Sequence, residues 1–286
     1  MNRTARLAAS AIAPRVAVAI VAALLSLAGA RTAAGAPPSP PQDLYATWDR
    51  LLSTYVDSEG LVDYAGLKDR DLAAFESFMR TLAETDPASF ATEAERMAFW
   101  INAYNAVVMW QVVERYPLDS VRDVGSLWGL IGGFFKQEYP VAGGDMSADD
   151  IEHATLRAQF DDERIHWALV CAAFGCPRLL DRAYRAETLD ETLRAQSYEF
   201  LAQPRGLQID RGAETLYLSS YFDWYAGDFE EVAGDVIDYV LRYASDADAT
   251  WIREHRESMR VQIMDYDWAL NSQGNGPRSA RPVPRD

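Results

Sequence analysis

The chain has 286 residues, 49% of them hydrophobic, with two cysteines, three histidines and a formal net charge of −16. So acidic a surface repels phosphate backbones and excludes nucleic acid as an expected partner, while it suits cationic ligands. The length allows one well-filled globular domain, and no internal repeat at solenoid spacing is visible.

The N-terminus reads as an export signal. Arg3, Arg6 and Arg15 precede an apolar run from Val16 to Leu27, too short to span a bilayer. Ala28-Gly29-Ala30 is a small-x-small cleavage site, so residues 1–30 are expected to be removed. The membrane is then involved only through that signal, and the mature protein is expected to be exported, periplasmic or secreted. Residues 31–42 read as a proline-rich linker, 43–272 as the globular domain and 273–286 as a disordered tail.

Apolar spacing predicts helices over 42–56 and 69–84. Residues 93–116 are apolar on nearly every face from Met97 to Val113, which predicts a helix buried all round and ended by Pro117. Asn102 and Asn105 interrupt it on one shared face. Either they clamp neighbouring backbone, the commoner use, or they face a polar pocket.

Residues 134–142 followed by Gly143-Gly144 read as a strand and a turn. Ser147 is a helix N-cap for SADDIEHATLRAQF. RIHWALVC, residues 164–171, reads as a central strand, apolar on both faces. Cys176-Pro177 reads as the N-cap and first position of a helix, and Thr188 with Glu191 as a capping box for the next, to about Gln203. Residues 207–210 and 215–218 are expected to pair as a hairpin. SSYFDWYAGDF, 230–244 and 246–257 read as helices, and RVQIMDYDWALN as a closing segment, first extended and then turning. The class is α+β, helix-rich around a small central sheet.

Several segments, in order, resemble one family: AFWINAYNAVVM, FFKQEYPVAGGDMSADDIEHATLR, DERIHWALVCAAFGCPRL, YFDWYAGDF and YDWALN. The chain is similar over roughly residues 45–270 to the family named domain of unknown function 547. The resemblance implies a set of motif residues rather than a reaction. Family members usually carry glycine after the first cysteine, where this chain has Ala172. A positive φ there would strain alanine.

The motif residues with chemistry are Asn102, Asn105, Glu152, His153, Arg157, Arg164, His166, Cys171 and Cys176. On a strand, His166 and Cys171 would point to opposite faces, roughly 16 Å apart along it, which disfavours a direct dyad. Cys176 at a helix start would have a lowered thiol pKa, with His153 and its neighbour Glu152 as first partners to look for. Against this, in an oxidising compartment Cys171 and Cys176 can close a disulfide, worth about 2 kcal/mol by loop entropy. That reading outweighs a reactive thiol.

His166 alone is more often a satisfied core histidine. Glu152 with Arg157 or Arg164 is more often a buried ion pair than an acid catalyst. Asp223-Trp224 and Asp267-Trp268 read as caps beside core aromatics. No metal-ligand spacing is recognised, no cofactor is implied, and GLIGGFF is no phosphate loop because no G-K-[ST] follows.

Three functions are compatible with this pattern. The first is a non-catalytic binding module for a peptide or cell-envelope component. The second is a papain- or transglutaminase-like thiol hydrolase or transferase, or its inactive relic, using Cys176 with a histidine. The third is a thiol–disulfide exchange protein. The papain-like analogy rests on the order of a buried helix followed by a histidine-bearing strand.

Overall fold

The structure, a computed structural model, describes residues 43–124 and 132–275. The expected signal, linker and final tail residues, and the start of GLIGGFF, lie outside that range. Gln273–Asn275, expected as the start of the tail, forms a short 3-10 turn.

The order is α1 (Ala46–Tyr55), α2 (Tyr64–Arg70), α3 (Leu72–Glu84), α4 (Glu93–Arg115), α5 (Gly132–Phe135), β1 (Glu138–Val141) and β2 (Gly144–Ser147). A π-helical stretch, Asp150–Leu156, runs into α6 (Arg157–Gln159). Then come α7 (Leu189–Ala202), β3 (Leu207–Asp210), β4 (Thr215–Leu218), α8 (Tyr221–Trp224), α9 (Ala226–Ala233), α10 (Val236–Tyr243), α11 (Asp246–His255) and β5 (Arg260–Ile263). The helix-rich α+β class holds. Among the described residues the strands form two small sheets, the hairpin β1-β2 and the sheet β3-β4-β5, with β3-β4 antiparallel and β4-β5 parallel.

Helix α4 organises the larger core. Thr92 and Glu95 exchange hydrogen bonds at its start, a capping box that satisfies two otherwise orphaned donors. From Met97 to Val113 every residue but Trp110 is buried, as the all-round apolar pattern predicts.

The two asparagines act as backbone clamps. The Asn102 amide donates to Ala98 and Tyr184 carbonyls at 2.8 Å each and accepts from the Tyr184 N–H at 3.0 Å. The Asn105 amide donates to the Ala168 carbonyl and accepts from the Val170 N–H, both at 2.9 Å.

These clamps explain two departures from the sequence reading. RIHWALVC is not a strand. Glu163–Trp167 is a 3-10 turn and the chain then runs irregularly through Ala168–Val170. Nor does a helix follow Cys176, for residues 177–185 have no regular structure. Buried irregular backbone is tolerable only if its polar groups find partners. Here side chains and the C-terminal segment supply them. Gln196 donates to the Arg178 carbonyl at 2.9 Å, Asp49 accepts from Ala183 N–H at 2.7 Å, and Asn102 holds Tyr184. Phe174 and Gly175 donate to the carbonyls of Ala269 and Asp267 at 2.7 and 2.9 Å.

Smaller elements follow local rules. The β1-β2 turn is Ala142-Gly143, one residue earlier than read, with φ of 55° and 80°. Two positive φ values are what a two-residue type I′ loop requires. Ser147 caps as expected, because it and Asp150 exchange hydrogen bonds. Thr188 stands at the start of α7 but makes no side-chain cap, since a 3-10 turn at Ala186–Thr188 leads into the helix. The 207–218 hairpin pairs as expected.

A second core surrounds Trp167, which is fully buried among Phe200, Tyr221, Phe222, Phe229 and Tyr239. Its indole N–H donates to the Tyr239 hydroxyl at 2.7 Å. Burying one tryptophan is worth up to roughly 5 kcal/mol, so Trp167 anchors the 3-10 turn firmly.

Ala172 has φ 59° and is 2% exposed. A left-handed alanine costs about 1–2 kcal/mol, partly offset by the greater entropy glycine loses on folding. Ala172→Gly is expected to raise the unfolding free energy by about 0.5–1 kcal/mol in chemical denaturation. Unchanged or lower stability would contradict that strain.

Candidate functional site

A cavity of about 330 Å³ opens between the π-helical stretch, the 3-10 turn, α8 and the C-terminal segment. Tyr104, Phe135, Tyr221, Trp224, Tyr225 and Trp268 supply its aromatic walls. Asp149, Glu152, His153, His166 and Cys171 supply its polar groups, with Leu169 beside them.

Each polar group is placed by a local feature. Glu152 and His153 lie on the π-helical stretch, a rare conformation that recurs at functional sites. Its wider winding departs from α-helical spacing. Trp167, locked into the second core, turns its neighbour His166 into the cavity wall, where His166 is 1% exposed.

His166 Nε2 lies 2.8 Å from Asp228 Oδ2 on α9. Arg157 grips the same carboxylate through Nε at 2.8 Å and a terminal nitrogen at 2.7 Å. The hydrogen bonds from His166 and Arg157 hold the Asp228 carboxyl well below the usual carboxylate range. An ionised carboxylate only accepts, so His166 Nε2 carries the proton and Nδ1 keeps its lone pair when the ring is neutral. Among the described residues Nδ1 makes no hydrogen bond. The ring stacks on Tyr225 at 3.8 Å.

His153 is fixed differently. Arg157 approaches its Nδ1 at 3.0 Å, and arginine only donates, so the proton of the neutral ring sits on Nε2. That atom lies 3.9 Å from Asp149.

Glu152 is 8% exposed and accepts a 2.6 Å hydrogen bond from the Tyr225 hydroxyl, with the buried Tyr104 phenol close by. Burial, and then the charge of Glu152, push both phenols far above their ordinary value, so both remain donors. The expected Glu152 ion pair with Arg157 or Arg164 does not form. Arg157 is taken by Asp228, and Arg164 by Asp162 and Asp190 at 2.7 and 2.9 Å, outside the cavity.

The cysteines sit at bonding distance, with Cα atoms 6.3 Å apart. The Tyr266 hydroxyl lies 3.0 Å from each sulfur. Gly175 between them admits the Tyr266 ring, because a Cβ there would meet it at 2.8 Å.

Three sequence expectations change here, and the choice left open for the two asparagines is decided. His166 and Cys171 share one cavity wall, since strand alternation does not apply to a turn. Cys176 is 1% exposed, is not on a helix and is not in the lining. His153 makes its contacts with Arg157 and Asp149 rather than with Cys176. Asn102 and Asn105 serve the backbone, and neither lines the cavity.

Trp224, read as a core aromatic, is 42% exposed at the cavity. Asp267 does cap, accepting from the Ala269 N–H at 3.0 Å.

Sequence reasoning missed Tyr104, Tyr221, Tyr225 and Asp228. The signal was present: Tyr221, Trp224, Tyr225 and Asp228 recur at i, i+3, i+4 and i+7, one helical face. Among the described residues, no group of three or more His, Cys, Asp or Glu is arranged to hold a metal.

Residues 88–201 match the family described as "Protein of unknown function, DUF547". The chain thus carries a DUF547 domain that includes Tyr104, Glu152, His153, His166 and both cysteines. Tyr221, Trp224, Tyr225, Asp228 and Trp268 lie beyond the matched range. No curated protein and no solved structure matches the chain.

Asp228, with its lowered carboxyl pKa, contributes stability that is complete above the unfolded value of about 4 and lost as pH falls below it. Asp228→Asn is therefore expected to lower the urea midpoint at pH 7 and to show a shrinking deficit towards pH 3. A deficit independent of pH would contradict the ion-paired assignment.

Proposed function

We propose that this DUF547 domain is an exported binding module whose ligand, a peptide or cell-envelope component, seats in the aromatic cavity. The observation that carries the reading is Trp224. A tryptophan left 42% exposed at the rim of a cavity walled by five other aromatic rings is a contact surface awaiting a ligand. The cavity size falls within the usual range for small-ligand sites. The sulfurs' mutual pairing leaves no thiolate in the lining, which favours binding over thiol catalysis.

A second reading is supported by Cys171 and His166 sharing the wall. Reduction of the pair would put a thiol on the same surface as an imidazole lone pair, the ingredients of a thiol hydrolase or exchange protein. In this reading Cys171 takes the role first given to Cys176. The papain-like relation is a matter of analogy alone.

The test is thermal shift of the intact protein against short peptides and peptidoglycan fragments, with Trp224→Ala as the comparison. At a hundredfold excess over Kd a ligand adds about 2.7 kcal/mol, a shift of several degrees. The binding reading predicts such a shift for at least one class and its loss in the variant. Shifts that persist unchanged in Trp224→Ala, or none across the panel, count against it. Rapid alkylation of Cys171 without reductant would favour the thiol reading instead.

A further inference from the structure

The cavity's chemistry narrows the ligand, granted the binding reading above. Its lining holds two carboxylates, Asp149 and Glu152, and neither lysine nor arginine. Glu152 is 8% exposed and makes no ion pair among the described residues, and it accepts a hydrogen bond from the Tyr225 phenol. A carboxylate taken out of water without a cation is costly, so the site gains most from a ligand that brings one.

Two arginines near the cavity are already committed. Arg157 is held by both oxygens of Asp228 and stacks on Tyr225 at 5.3 Å. Arg122 lies over the Trp268 ring at 5.6 Å. The histidines also have settled partners: His166 is tied through Nε2 to Asp228, and His153 lies between Arg157 and Asp149.

The aromatic walls add a second, independent preference. Trp224 packs 5.9 Å from Trp268 and 5.8 Å from Tyr221, so the rim is a cluster of electron-rich rings. Such rings attract cations within about 6 Å, and alkylated ammonium groups most usefully, because their methyl groups also gain apolar contact.

We propose that the cavity binds an organic ammonium ion, its charge facing Glu152 and Asp149 and its alkyl groups against Trp224. A neutral sugar, the other common guest of an exposed tryptophan, would leave the buried carboxylate uncompensated.

The test is isothermal titration calorimetry of the intact protein at pH 7 with three probes: choline, its neutral carbon isostere 3,3-dimethylbutan-1-ol, and N-acetylglucosamine. Choline is expected to bind saturably and the isostere about tenfold more weakly, the magnitude of a desolvated cation–π contact. Trp224→Ala and Asp149→Asn change an exposed and a half-exposed side chain and should fold normally. Each is expected to weaken choline, and the gap between choline and isostere should close when the carboxylate is removed.

Glu152→Gln is the sharper variant if circular dichroism shows it folded. Equal affinity of the wild-type protein for choline and isostere, or a gap that stays open in folded Glu152→Gln, would overturn the ammonium claim while leaving a binding cavity. Binding of the sugar alone would overturn it too, again leaving the cavity reading standing. Silence from all three overturns the ammonium claim, and the peptide and peptidoglycan panel then judges the binding reading separately.

Discussion

The fold depends on side-chain amides doing the work of a sheet. Segment 163–184 passes through the interior without regular structure after its first turn, and backbone polar groups cannot be buried unpaired at a cost of about 1–3 kcal/mol each. Asn105 serves Ala168 and Val170, Asn102 serves Tyr184, and Gln196 serves Arg178. These amides are themselves almost fully buried, so their own desolvation is justified only by those contacts. Helix α4 is thus both a hydrophobic core element and a hydrogen-bonding template.

Placement of the site follows from that constraint. Because the segment is freed from strand alternation, His166 and Cys171, five residues apart, can share one cavity wall. Trp167 enters one core and His166 faces the cavity, while Ala172 takes a left-handed conformation. The cysteine pair and Tyr266 then close the end of the loop against the C-terminal segment. Opposite it, the π-helical stretch presents Glu152 and His153. The result is a cavity whose charged groups are held by partners remote in sequence, such as Asp228 and Tyr225.

Much of this was legible in the residues. The all-round apolar run gave α4, and the cost of burying amides led correctly to clamps at Asn102 and Asn105. The cysteine spacing marked a pair, while the alanine after Cys171 argued against the positive φ that the family's glycine implies and that Ala172 nevertheless adopts.

What failed was the reading of RIHWALVC. Continuous apolar character cannot tell a central strand from a buried loop, because both are simply buried. The distinction lies in who satisfies the backbone, and those partners sit 63 to 65 residues away. The supposed helix after Cys176 failed for the same reason. The aromatic wall was overlooked although YFDWYAGDF carried its spacing, since an aromatic stripe is usually core and nothing local marks Trp224 as exposed.

The central claim, that asparagine clamps secure the buried segment, is tested most directly by native-state amide hydrogen exchange at Val170 and Tyr184. Protection comparable to the middle of α4 is expected in the wild type, with a selective loss at Val170 in Asn105→Leu. Exchange at both amides as fast as at exposed turns in the wild-type protein would contradict it.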